Sequence, residues 1–429
     1  MQRWTRRALS GAAVVGAAVA LLAVGAAGSP PAPSGTEPAG NVAPDGSIAA
    51  LQADLERVPG DFRSWTALGG AYVQQARLTA DPSYYAKAEG AFDKALALRP
   101  EDDGALTGQA TLAAARHDFA GAVALSDRAL AVNPDSATTW AVRSDALNEL
   151  GRYDESLAAV RRMADLRPGA DTSSRASYAF ELRGDVDRAR AALEEAVQLA
   201  NLPADKAFAQ YYLGELAWNT GDVEAARTAY EAGLSVDPSY LPLLAGRAKV
   251  LAAQGDTTAA LGELRTVVER LPAPEFLVAY GELLEATGQS EQAQEQYDVV
   301  RATQRLFAAN GQDVDTELAL FEADHGTPAA AVVAAEKAHA KRPLSIFTQD
   351  AYAWALHQAS RSAQALPIAR QAVRLGLPSP ALYYRLGTIE AAAGETAAAR
   401  ISLQKALSMN PDFDPLRAPE AKALLGSLR

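Results

Sequence analysis

The sequence predicts an all-α solenoid, built from helical hairpins stacked side by side in chain order. Three observations carry this reading. Glycine followed by a polar residue recurs at Gly151-Arg152, Gly184-Asp185, Gly221-Asp222, Gly255-Asp256, Gly288-Gln289, Gly326-Thr327 and Gly394-Glu395. Prolines keep the same beat: Pro100, Pro134 and Pro168 are each 34 residues apart, as are Pro238 and Pro272, and Pro343 and Pro411 lie 68 apart. The composition is 49% hydrophobic but only 7% aromatic, mostly Ala, Leu and Val, which suits closely approaching helices better than strands. Self-similarity at such a period marks a repeat array.

Each beat has a local cause. Gly151 stands where a helix has just ended, and glycine takes the left-handed conformation there without a Cβ penalty. Asp154 or Asp185 then offers a carboxylate to the free N–H groups that open the next helix, where the dipole also favours negative charge. The proline that follows ends that second helix, because it lacks an N–H and clashes with the preceding turn. Neither helix buries its apolar stripe alone, so neighbouring hairpins must stack.

In this setting the stretch Trp65-x2-Leu68-Gly69-x2-Tyr72 resembles the opening of a tetratricopeptide repeat. Tyr383-x2-Leu386-Gly387 and Leu213-Gly214 echo it. In the second helices, small residues recur at Ala88, Ala122, Ser156, Ala189, Ala226, Ala260, Ala293 and Ala399. A larger side chain follows four residues on at Phe92, Val160, Leu193, Tyr230, Leu264, Tyr297 and Leu403. Ala95, Ala129, Ala196 and Ala406 hold the later small site. The resemblance implies a right-handed superhelix of about ten helix-turn-helix repeats, spanning roughly residues 62 to 413. The repeats fall near 62–100, 103–136, 137–169, 170–203, 207–240, 241–273, 274–309, 312–345, 346–378 and 380–413. The first carries an insertion, Arg77 to Tyr85. Ile48 to Val58 reads as a short amphipathic helix capping the first repeat, and residues 415–428 as the helix that closes the array.

The N-terminus points to export. Arg3, Arg6 and Arg7 precede an apolar run from Ala8 to Ala27, interrupted only by Ser10. A positive start, an apolar stretch and small residues around Ala26-Ala27-Gly28 describe a secretory signal in residues 1–28. The run is also long enough for an uncleaved N-in membrane anchor, residues 8–27. An ordinary cytosolic helix is the third reading. Both of the first two place the array outside the cytoplasm, secreted or anchored to the cytoplasmic membrane. Residues 29–47, with Pro30, Pro31, Pro33, Pro38 and Pro44 among Gly, Ser and Ala, read as a linker with nothing to bury. As a flexible coil it would reach about 25 Å.

Charge and motifs narrow the function classes. The formal net charge of −12 argues against nucleic acid, whose phosphates call for a basic face. The chain has no cysteine; that fits either redox compartment. It lacks a phosphate-binding Gly-x4-Gly-Lys loop, a His-Glu-x-x-His pair and a Gly-x-Ser-x-Gly elbow. No catalytic, cofactor-binding or metal-ligating set is expected. The one cluster that invites a metal reading is Asp313, Asp315, Glu317, Glu322, Asp324 and His325, where Glu322 and His325 share a helix face. It lacks the second such pair that carboxylate-bridged sites require, so it reads as a solvated helix end.

Binding is expected on the first helices, whose inward side lines the groove in the resembled family. Phe208, Tyr211, Glu215, Trp218 and Asn219 share one face by three-and-four spacing, and Tyr178 and Glu181 should adjoin them. Phe347, Asp350, Trp354, His357 and Tyr384 form a second patch. Asp145, Glu149, Glu282 and Glu285 add negative charge, with Lys249 the main basic exception. Aromatic side chains make good interface anchors because they bury much area while losing few rotamers; the same rings serve equally well as packing between repeats. The expected partner is a protein or peptide with apolar and basic residues. The function that follows is a non-catalytic interaction scaffold. A cell-envelope assembly factor or periplasmic chaperone, or an accessory subunit of an enzyme or transporter, are the alternatives.

Overall fold

The computed structural model describes residues 44–79 and 81–428, and every regular element among them is an α-helix. α1 (Pro44–Arg57) begins within the stretch expected as linker, because a proline at the first helical position has its φ already set. Ten hairpins follow. The first five are α2 (Phe62–Thr79) with α3 (Ser83–Leu98), α4 (Asp103–Ala115) with α5 (Phe119–Val132), α6 (Ala137–Glu149) with α7 (Tyr153–Leu166), α8 (Ala170–Glu181) with α9 (Val186–Leu199), and α10 (Pro203–Asn219) with α11 (Val223–Val236). The next five are α12 (Leu241–Ala253) with α13 (Thr257–Arg270), α14 (Pro274–Ala286) with α15 (Ser290–Ala309), α16 (Asp315–His325) with α17 (Pro328–Lys341), α18 (Ile346–Gln358) with α19 (Ser362–Ala372), and α20 (Pro380–Ala392) with α21 (Thr396–Met409). α22 (Arg417–Ser427) packs on the last pair. The stretch expected as an insertion, Arg77 to Tyr85, is shared between the two helices: residues 77–79 end α2 and 83–85 open α3.

The turns explain the beat. Gly151, Gly184, Gly221, Gly255, Gly288 and Gly394 have φ between 72° and 87°, the left-handed region. Asp185, Asp222 and Asp256 each accept a hydrogen bond from the backbone N–H three residues on. Asp154 does not: it lies inside the first turn of α7 and its carboxylate reaches Arg183 at 2.8 Å instead. Gly326 also departs from the pattern, with φ −130°; there Thr327 caps α17 through its hydroxyl.

Packing follows from the small residues. Tyr230 of α11 is fully buried, and its ring lies where a Cβ on Gly214 or on Gly246 would stand. A ring from the outer helix thus wedges between two inner helices, α10 and α12, that are bare at the point of contact. Phe92 does the same between Gly69 and Gly108. Inner helices of successive repeats touch, as α2 with α4, α4 with α6 and α16 with α18, while the outer helices spread apart.

Accumulated rotation brings the chain round onto itself. The Ile346 N–H donates to the Tyr153 hydroxyl at 2.9 Å, and Arg342 pairs with Glu149 at 3.2 Å, each across 193 residues. The Asn410 side-chain amide donates to the Trp218 carbonyl at 2.8 Å across 192. Asp313 N–H donates to the Arg116 carbonyl at 3.0 Å, and the His117 Nδ1–H donates to the Asp313 carbonyl at 2.6 Å. One superhelical turn therefore takes between five and six 34-residue periods. Along this seam, the hairpin turns of repeats 2 to 5 sit on the links between repeats 7 and 10 and on the end of α21. Gly151 and Gly221 lie against the backbone of Leu344 and Met409, and Gly184 against that of Gly376, whereas Gly255, Gly288 and Gly394 face open space.

Candidate functional site: the inner wall

Polar side chains on the inner helices are paired from repeat to repeat. Asp145 of α6 holds Arg175 of α8, Nη2 to Oδ2 2.8 Å, with both side chains buried. Glu215 of α10 receives Lys249 of α12 at 2.6 and 2.7 Å and the Tyr230 hydroxyl at 2.7 Å. Glu282 of α14 meets His325 of α16 at 3.0 Å, and Glu285 accepts from Tyr297 at 2.9 Å. Asp350 of α18 is clamped by Arg385 of α20.

The expected site residues lie on the inner helices α8, α10, α18 and α20, and several of them are taken up by packing. Tyr211 is half-buried, its ring 5.1 Å from Tyr212 and 6.4 Å from both Tyr230 and Tyr240. Phe208 is buried against Tyr212 at 4.7 Å. Trp218 is buried beneath the Lys249 ammonium at 5.7 Å, and Asn219 beside it is half-buried. Trp354 is buried, donates to Asp324 at 2.9 Å and stacks on His357 at 5.1 Å, with Tyr384 at 5.9 Å. The His357 Nδ1 bonds the Ser362 hydroxyl at 3.0 Å. Tyr178 and Phe347 are committed elsewhere: both pack into the apolar cluster of Tyr153, Leu182, Ile346, Leu377 and Leu382 that joins repeats 3 and 4 to 9 and 10. Their area serves the seam, so the two expected patches do not form one continuous aromatic strip.

Several acids of the inner helices keep an unpaired oxygen. Among the described residues Glu181 has no hydrogen-bond partner, and burial beside Glu215 pushes its carboxyl up to about 7. Glu275 Oε2, Glu317 Oε2 and the Tyr212 hydroxyl are sealed from water without a partner. Burial drives Glu275 well above the usual carboxylate range, with Glu317 adding to it. Burial also pushes Glu149 up to about 7 despite Arg342, and Glu282 up to about 7 despite His325. Tyr178, Tyr211 and Tyr212 are all raised by burial and by these carboxylates. The inner helices between repeats 3 and 8 thus carry desolvated acids and tyrosines, with Lys249 already spent on Glu215.

Glu275 and Tyr212 escaped the sequence reading, and Glu317 entered it only as a member of the acidic cluster weighed for a metal. Glu275 had a signal: it is the second residue of its helix, the same place as Phe347 in α18. The acidic cluster weighed for a metal breaks up in space. Glu322 accepts from the Thr327 N–H at 3.1 Å, His325 stacks on Tyr297 at 4.1 Å, and Asp313 and Asp315 share Lys341.

A tetratricopeptide repeat family model matches residues 107–171, 176–240, 246–305 and 352–414. The chain belongs to the tetratricopeptide repeat family. Repeat 8, with Glu322 and the irregular Gly326 turn, falls between the matched segments of this tetratricopeptide array. No curated protein matches the chain. Among solved structures it is similar to TTC0263, a thermophilic tetratricopeptide protein of Thermus thermophilus, at 23% identity over 45% of this chain and 98% of that one, TM-score 0.39. It is also similar to a human IFIT1 dimer with PPP-AAAA, at 14% identity over 84% and 86%, TM-score 0.47. PilW, described as a type IV pilus biogenesis factor, aligns at 18% identity over 47% and 92%, TM-score 0.40. These likenesses concern the fold alone.

Proposed function

We propose that this tetratricopeptide array is a non-catalytic scaffold that takes a polypeptide bearing basic and apolar side chains against its inner wall. The family's general role as a protein-interaction scaffold supports the coarse reading. The single observation that carries the finer one is a pair of desolvated acids, Glu181 without a hydrogen-bond partner and Glu275 with Oε2 unpaired, beside the tyrosines Tyr211 and Tyr212. A lysine or arginine would restore the missing charge, because a buried carboxylate is costly unless paired, and the tyrosine rings offer apolar contact and a cation-binding face.

The site of action in this proposal is outside the cytoplasmic membrane. The support is Arg3, Arg6 and Arg7 followed by the apolar run 8–27, which lies outside the described residues. Among the described residues no helix is long and apolar enough to cross a membrane. Cell fractionation with sequencing of the mature N-terminus tests the location: export gives chains that start after residue 28 or remain with the membrane fraction.

The binding proposal is tested with fluorescent peptides of matched length carrying lysine and leucine, or glutamate and leucine. Lysine peptides should bind, and Glu181→Lys together with Glu275→Lys should weaken them by about tenfold or more, the loss of roughly one charged contact. Equal affinity for both peptide classes, or no effect of the double charge reversal, would overturn it.

A further inference from the structure

Among the described residues two hairpin turns carry a left-handed residue other than glycine, Ser360 in repeat 9 and His117 in repeat 2, and the turn of repeat 2 lies on the seam. Its position corresponds to Gly151, 34 residues on, yet it holds His117 with φ 62°. A Cβ there is crowded against the backbone, a conformation few residue types tolerate. The imidazole returns something glycine cannot: the bond from Nδ1 to the Asp313 carbonyl, beside the Arg116–Asp313 backbone bond. The ring is also stacked 5.4 Å from Phe119, over which Arg342 lies at 5.2 Å.

We propose that the seam is a separable clasp with His117 as its pin, so that the superhelix opens along its side while the individual repeats stay folded. The contacts on the two sides differ in kind. Neighbouring repeats share extended apolar clusters, as around Tyr230 or Trp354. Successive turns meet through loops and helix ends, mainly by polar bonds, with one apolar cluster around Tyr153 and Ile346. Regions held by few apolar contacts open at lower free energy than the core.

The closed seam is also strained in its hydrogen bonding. His117 Nε2, Gln312 Oε1, Glu317 Oε2 and Arg342 Nε are all sealed at this junction with no partner. His117, Gln312 and Arg342 are each more than nine-tenths buried. Buried polar atoms without a protein partner raise the free energy of the closed form, and bulk water satisfies them once the turns part. Closed, the array offers its inner wall along the axis, to an extended chain. Open, it offers that wall from the side, to a helix or a folded surface.

The full chain lacks cysteine, so two can be placed for spin labels at Ala120 and Ala340, both exposed near the junction. Pulsed dipolar distances should show one dominant short population. His117→Gly relieves the local backbone and removes the pin; the longer-distance population should rise about threefold or more. Helical circular dichroism should be unchanged, and the thermal midpoint should fall by no more than about 3 °C. Tyr153→Phe, which removes the acceptor for Ile346, should act in the same direction, and it decides the matter alone should the histidine variant not fold. The proposal is overturned when the folded variants leave the distances unchanged, or when longer distances appear only in step with loss of helix.

Discussion

The Tyr153 hydroxyl accepts the Ile346 N–H at 2.9 Å, so a side chain of repeat 3 completes the backbone that opens repeat 9. Two residues before that tyrosine, Gly151 lies against the Leu344 backbone, while Gly255 has the same left-handed φ and nothing near it. The pair separates backbone strain from seam contact. Gly255→Ala should cost about 1–2 kcal/mol. Gly151→Ala should cost about 2 kcal/mol more, from overpacking. Hydrogen exchange would localise the loss: repeats 8 and 9 should lose protection with Gly151→Ala and keep it with Gly255→Ala.

Glu181 sets a pH dependence. Its carboxyl is raised from 4.5 to about 7 in the folded chain, so the folded state binds a proton that the unfolded state has released. The stability this contributes is present below pH 4.5 and is lost as pH rises toward 7 and beyond. Glu181→Gln should therefore stabilise the array by about 1–3 kcal/mol at pH 8 and leave it nearly unchanged at pH 4.5. Urea midpoints at the two pH values measure the difference, and a variant equally affected at both would contradict the assignment.

The Asp350–Arg385 pair is the counter-case, a buried acid that is compensated. Burial raises Asp350 and Arg385 pulls it back. Arg385→Met should cost about 3–5 kcal/mol by stranding the aspartate, and Asp350→Leu in the same chain should recover most of that. A double-mutant cycle on the unfolding midpoint reads the coupling.

Tyr230 and Gly246 should be coupled through space. Gly246→Ala drives a methyl into the Tyr230 ring and should cost about 1–3 kcal/mol. Tyr230→Leu alone leaves a void where the ring packed. Combined, the two should cost less than the sum of the single changes, because the smaller side chain makes room for the methyl.

Local structure was legible because its causes are local. Gly184-Asp185 was read as a turn and cap, and both roles hold in space. Asp154 was misplaced by two positions: the N-cap of α7 is Arg152, and the aspartate lies inside the first turn with its side chain exposed. Gly326 was read from its place in the beat, although its φ is that of an ordinary residue. Three-and-four spacing named Phe208, Tyr211, Glu215, Trp218 and Asn219 on α10, of which Phe208 and Trp218 are buried in packing. Tyr178 and Phe347 looked alike on that criterion, yet they pack at the seam. A 34-residue pattern fixes what touches the next repeat; contacts at 193 depend on small rotations summed over five or more hairpins. No sequence signal marked the seam: the turn at His117 lacks glycine, but so does the turn at Ser360 in repeat 9, and Gly151, Gly184 and Gly221 keep theirs on it.

Arrays of this kind ordinarily tolerate the gain or loss of whole units, since each unit answers only to those beside it. Here the tie between Tyr153 and Ile346 counts them. Deleting any one hairpin from α8 through α17 would leave every neighbour-to-neighbour interface repairable, but would carry Ile346 a full unit away from its hydroxyl, and Arg342 from Glu149 with it. Between those two points the length of the chain is itself a fixed quantity of the fold, set by geometry rather than by any one residue.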